Sequence, residues 1–179
     1  MDSPFMEAVA KGLCARGVTV VRFEFPYMAA RRAQGTRAPP NRMPILEAAY
    51  REVVAKFANQ KRLFIGGKSM GGRVATMIAD SVAVHGVVAL GYPFHPPKRP
   101  ERTRVEHLAT LRTPCLIVQG TRDPLGTEAE VRSYPLSAGI EVHFLPDGDH
   151  SFEPRRSSGR STDDNMRQAI EAVVSFLAR

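Results

Sequence analysis

The sequence predicts an α/β fold, a mostly parallel sheet covered by helices on both faces. Three observations carry this. Short apolar runs recur along the chain without the in-out alternation of a half-exposed strand, segments of helical periodicity separate them, and a turn bearing glycine and polar residues follows most of them. In such sheets ligands collect beyond the carboxyl ends of the strands. Chemistry is therefore sought in the loops after residues 25, 65, 91, 119 and 145.

Residues 5–15 (FMEAVAKGLCA) place Phe5, Met6, Val9, Leu13 and Cys14 near one face of a helix, and Gly17 marks its exit. VTVVRFEF at 18–25 is rich in β-branched and aromatic residues and predicts a strand. Residues 26–44 carry several prolines and no sustained period, which predicts a long loop with at most a short helical turn, of the kind that walls a site. Residues 45–59 repeat Ile45, Ala49, Val53 and Phe57 at helical spacing, and Leu46, Tyr50 and Val54 widen the stripe. RLFIGG is a short strand, and MGGRVATMIADS a helix with Val74, Met77 and Ile78 inward. Residues 84–94 and 113–126 are strands running into turns, 128–134 a helix, and 140–152 a last strand and its turn. The closing segment is a helix capped by Thr162, with Asp163 and Asp164 in its first turn.

Residues 1–179 fit one domain. No apolar run is long enough to span a bilayer and no secretory pattern is visible, so no membrane and a cytoplasmic setting are expected. Cys14 and Cys115 lack CxxC spacing and are expected to be buried thiols. The net charge of +7 is scattered: Arg31, Arg32, Arg37 and Arg42 surround one proline-rich loop, and Lys98, Arg99, Arg102 and Arg104 another. No aromatic RNA-binding pair, cysteine finger or recognition helix accompanies them, so nucleic acid is not the expected partner.

GGKSMGGR at 66–73 has two incompatible parses. A phosphate-cradling GxxxxGK[ST] loop needs a glycine at position 62, where Arg62 stands inside a strand. A G-x-S-x-G turn between strand and helix needs Gly67, Ser69 and Gly71, all present after RLFIG. Serine is a weak nucleophile at neutral pH, so this parse demands a base and a carboxylate on later strand ends. Asp123 in VQGTRDPLG and His150 in LPDGDHSF stand there, in the order Ser69, Asp123, His150 that this arrangement requires. Met70 offers a backbone N–H to an oxyanion, and Tyr27, Tyr92 and His95 fall on loops at strand ends as candidates for substrate contact. Asp147 and Asp149 are expected to fix the histidine loop, because with His143 and His150 they match no hydrolytic metal motif. No metal or organic cofactor is expected. Lys68 is expected to be solvated or paired with a carboxylate such as Glu24.

VVRFEFPYM, GGKSMGGRVA, GYPFHPPKRPE, CLIVQGTRDPLG and DGDHSF together give the chain its resemblance to the alpha/beta-hydrolase superfamily. Within it, the chain most resembles the small branch related to dienelactone hydrolases, which includes testis-expressed hydrolase-like proteins and a hydrolase-like subunit of a histone-acetyltransferase complex. The resemblance implies a minimal alpha/beta-hydrolase fold without a large cap, bordered by the 26–43 and 92–104 loops. It implies Ser69 as nucleophile, where dienelactone hydrolases usually carry cysteine, with Asp123 as acid and His150 as base. It also implies that the family's preceding apolar strand and HGxG-like oxyanion loop lie upstream of MDSPFMEAV, with Met1 an internal start or the chain a fragment. The expected function is a serine hydrolase acting on a small acyl substrate. The alternative is a non-catalytic protein-interaction module on the same fold, and a homo-oligomer is compatible with either.

Overall fold

Four strands line up in chain order in the computed structural model, which describes residues 2–35 and 39–179; Met1 and Arg37 lie outside the described residues. Strands β1 (Phe64–Lys68), β2 (Gly86–Leu90), β3 (Cys115–Gly120) and β4 (Ile140–Leu145) pair in the order β1-β2-β3-β4, every pair parallel. Around them run α1 (Pro4–Cys14), α2 (Pro26–Gln34), α3 (Met43–Ala55), α4 (Met70–Ile78), α5 (Glu128–Ser133) and α6 (Thr162–Leu177). This is the minimal α/β architecture expected, with no large cap.

Side-chain alternation along the strands divides the core. Ile65, Val87, Ala89, Cys115 and Ile117 face Leu46, Tyr50 and Val54 of α3 and Val74, Ala75 and Ile78 of α4. Val88, Leu90, Leu116, Val118 and Leu145 face Val9 and Leu13 of α1 and Ala169, Ile170, Val173 and Phe176 of α6. Strands β2 and β3 are buried along their whole length, which explains why they read as unbroken apolar runs.

Strand β1 lies at an edge, and a side chain covers part of it. The Tyr50 hydroxyl donates to the Gly66 carbonyl at 2.6 Å and accepts from the Gly66 N–H at 2.9 Å. One phenol thus satisfies two backbone groups that a further strand would otherwise occupy.

Several expectations are corrected. Residues 18–25 carry no sheet ladder; β propensity reflects packing in a paired, half-buried surface, and here the side chains pack without pairing. Phe23 packs edge-on against Phe25 at 5.5 Å and against Tyr50 at 4.8 Å. Where a loop was expected after residue 25, α2 forms, started by Pro26 in its first turn and stopped by Gly35 at φ 63°. The last helix is capped by Ser161 rather than Thr162, in a reciprocal capping box with Asp164. Cys14 is exposed, whereas Cys115 is buried and its thiol is pushed up to about 12 by burial. Among the described residues, no helix is long and apolar enough to cross a membrane.

Candidate active site

Ser69 stands between β1 and α4 in a conformation that side chains rarely adopt, φ 51° and ψ −112°. Its N–H is held by the Leu90 carbonyl of β2 at 2.9 Å, and its carbonyl accepts from Arg73 N at 3.0 Å. The turn closes because the backbone folds onto itself. A β-carbon at Gly67 would lie 2.8 Å from the Gly71 carbonyl carbon, and one at Gly72 would lie 2.8 Å from the Gly67 carbonyl oxygen. A β-carbon at Gly71, the second glycine of the pentapeptide, would meet nothing among the described residues, so the positions that require glycine here are Gly67, against the Gly71 backbone, and Gly72, against Gly67.

Asp123 follows β3 and is wholly buried. One carboxylate oxygen accepts from Leu125 N at 2.8 Å; the other accepts from Gln119 Nε2 at 3.0 Å and lies 2.7 Å from His150 Nδ1. His150 follows β4, and its Nε2 lies 3.0 Å from Ser69 Oγ. The three side chains form one hydrogen-bonded chain, with the serine hydroxyl at one end and a carboxylate sealed from water at the other.

The loops carrying Asp123 and His150 are clamped backbone to backbone. Thr121 N donates to Leu145 O at 3.0 Å and Arg122 N to Gly148 O at 2.9 Å. A β-carbon at Gly120 would come within 2.3 Å of the Gly148 carbonyl, so only glycine allows this approach. Asp147 and Phe152, at φ 55° and 70°, bracket the histidine loop with two further left-handed residues. Asp147 is tied to Arg155 and Arg122, and Asp149 accepts from Ser151 N and Glu153 N. Buried Asn165 donates to Phe152 O at 2.9 Å and Pro146 O at 3.2 Å, fixing the same loop from α6.

Met70 opens α4, where first-turn amides have no intrahelical acceptor. Tyr27 is half-buried, its N–H bonded to Asn41 Oδ1 at 2.8 Å and its ring beneath the Arg31 guanidinium. Tyr92 and His95 are both buried, and the Nε2 of His95 has no hydrogen-bond partner among the described residues. Tyr92 OH donates to the Arg104 carbonyl at 3.0 Å, and His95 Nδ1 lies 2.9 Å from Pro96 O with Nε2 3.6 Å from Glu130. Both therefore belong to the packing behind the carboxylate loop rather than to a face open to a ligand. Glu24 pairs with Arg32, and Lys68 instead donates to the His150 carbonyl, which corrects the Lys68–Glu24 pairing.

Two residues escaped the sequence reading. Gln119, wholly buried, accepts from Tyr92 N at 2.8 Å and donates to Asp123, to Gly126 O at 3.0 Å and to Tyr92 O at 3.3 Å. Its signal was present: it is the one amide side chain in the apolar run CLIVQG. Asn165 gave no such signal, since a polar residue in the first turn of a helix ordinarily faces water.

Comparison with known proteins places the chain in a family. The chain resembles an alpha-beta serine hydrolase homologue from Coxiella burnetii, with 19% identity over 96% of this chain and 77% of that one and a TM-score of 0.68. A serine hydrolase without lid from Xanthomonas campestris shares 22% identity over 98% of this chain and 74% of its own, with a TM-score of 0.71. Est1E from Butyrivibrio proteoclasticus shares 14% identity over 99% and 84%, with a TM-score of 0.68. Residues 1–178 match the family described as an alpha/beta hydrolase domain, and the chain belongs to that family.

Proposed function

We propose that the protein is a serine hydrolase of carboxylic esters or similar acyl compounds, with Ser69 as nucleophile, His150 as base and Asp123 as the carboxylate that orients it. The observation that carries this reading is the unbroken hydrogen-bonded chain from Ser69 Oγ through His150 to Asp123. Membership of the family supports it, as do the serine hydrolase names of the Coxiella and Xanthomonas proteins. The motifs GGKSMGGRVA and GYPFHPPKRPE favour, within that family, the dienelactone-hydrolase-related branch.

In the proposed cycle His150 Nε2 takes the Ser69 proton as Oγ attacks the acyl carbon, and the buried Asp123 carboxylate holds the ring tautomer and stabilises the imidazolium. The Met70 N–H, at the start of α4, donates to the oxyanion, aided by the positive end of the helix. His150 then protonates the leaving alcohol, and a water deprotonated by the same nitrogen releases the acid from Ser69.

Short-chain p-nitrophenyl esters test this. Wild type should turn over, and Ser69→Ala should fall by about 10³-fold or more with the fold intact. Equal rates in the two proteins would overturn the hydrolase reading and leave the non-catalytic one.

A further inference from the structure

Lys68 is a half-buried charge that the cycle above does not use. It ends β1, next to the nucleophile, and its ammonium donates to the backbone carbonyl of His150. The charge lies 5.1 Å from the centre of the Phe5 ring of α1 and 5.6 Å from that of Phe152. It also crowds the base itself. A single point, the position of a β-carbon on Gly91, lies 2.6 Å from Lys68 Nζ, 3.0 Å from His150 O and 3.3 Å from His150 Nδ1. Gly91, at φ 61° after β2, leaves that space empty of side chain.

We propose that Lys68 is a positioning residue for the base: its ammonium pins the His150 backbone carbonyl and so fixes the loop that aims the imidazole at Ser69, while its charge faces the buried Asp123 carboxylate. The kinetic consequence rests on the hydrolase reading; the structural one does not.

The charged groups that face the ammonium among the described residues are Asp123 after β3 and Asp149 after β4, with His150 bonded through its carbonyl; α1 contributes the Phe5 ring. Burial lowers the ammonium to about 8, and the two carboxylates offset part of that fall. The positive charge is thus present at neutral pH and leaves as the medium turns mildly alkaline. While present, it donates a charge-assisted hydrogen bond to the His150 carbonyl, and that bond weakens as the charge leaves.

The test follows the His150 ring resonances by NMR from about pH 5 to about pH 10 in wild type, Lys68→Met and Lys68→Arg. Fluorophosphonate labelling of Ser69 is recorded alongside. In wild type the ring resonances should show an inflection near pH 8 as the neighbouring ammonium discharges. In Lys68→Met that inflection should vanish and labelling at neutral pH should slow several-fold, because the loop that aims the base has lost its pin. Lys68→Arg, charged throughout, should lack the inflection and label faster than Lys68→Met. Identical ring resonances and labelling rates in wild type and Lys68→Met would overturn the proposal. Should Lys68→Met not fold, wild type alone decides, and a ring titration without the alkaline inflection overturns it. Ring shifts as described without labelling of wild-type Ser69 would sink the hydrolase reading and leave the positioning role; labelling without those shifts would do the reverse.

Discussion

Gln119 shows how much of the proposed chemistry depends on one amide. Its carbonyl and its nitrogen bind Tyr92 N–H, the Asp123 carboxylate and the Gly126 carbonyl at once, all away from water. Gln119→Leu keeps the volume but strands these groups, and each buried unsatisfied polar group costs about 1–3 kcal/mol. We expect urea unfolding to report a loss of about 2–4 kcal/mol, with ester turnover reduced because Asp123 no longer has a fixed direction. Asp123→Asn is expected to lower turnover by about 10⁴-fold with little change in fold, since an amide favours the wrong imidazole tautomer. Ser69 offers the opposite trade. At φ 51° its β-carbon is a steric liability, so Ser69→Gly should raise the melting temperature while abolishing turnover, a gain of about 1 kcal/mol. A lower melting temperature would mean that the turn is unstrained.

Among the elements, what the sequence revealed and what it hid follow from where the information lies. The sites beyond β1, β3 and β4 were legible because apolar runs ending in glycine and polar residues leave few alternatives, and Ser69, Asp123 and His150 stood at those ends. Helix α2 was hidden because its signals are a single proline at the start and a left-handed Gly35 at the stop, with no apolar stripe between them. Residues 18–25 misled because β-branched composition records a preference for packing, while a ladder requires a neighbour that composition does not name. The role of Tyr50 was equally invisible: at its position in α3 it reads as one more apolar residue, yet its hydroxyl serves the edge of β1. Tyr50→Phe retains the ring and removes that service, and should destabilise the protein by about 1–3 kcal/mol in denaturant unfolding. An unchanged midpoint would show that water replaces the phenol.

For the whole molecule, titration sets the limits of stability. Asp80, Glu130, Asp147 and Asp164 are held below their ordinary range, Asp80 by Thr113 and Arg112 against the cost of burial, Glu130 by Thr127, Asp147 by Arg155 and Asp164 by Ser161. Groups depressed in the folded state stabilise it fully above their unfolded values, and that contribution is lost as pH falls through the folded ones. Melting temperature should therefore begin to fall as the pH drops below about 4. At the other end Tyr50, Tyr92 and Cys115 are raised by burial, so the unfolded chain ionises first and stability should decline again above about pH 10. A melting temperature flat from pH 3 to 6 would contradict the acid limb. Strand order carries a further consequence. The sheet adds its strands in the order in which they are synthesised, and the histidine follows the last of them. A nascent chain thus carries Ser69 and Asp123 before the proposed base is translated, so a ribosome-stalled fragment that ends ahead of His150 is expected to be chemically silent.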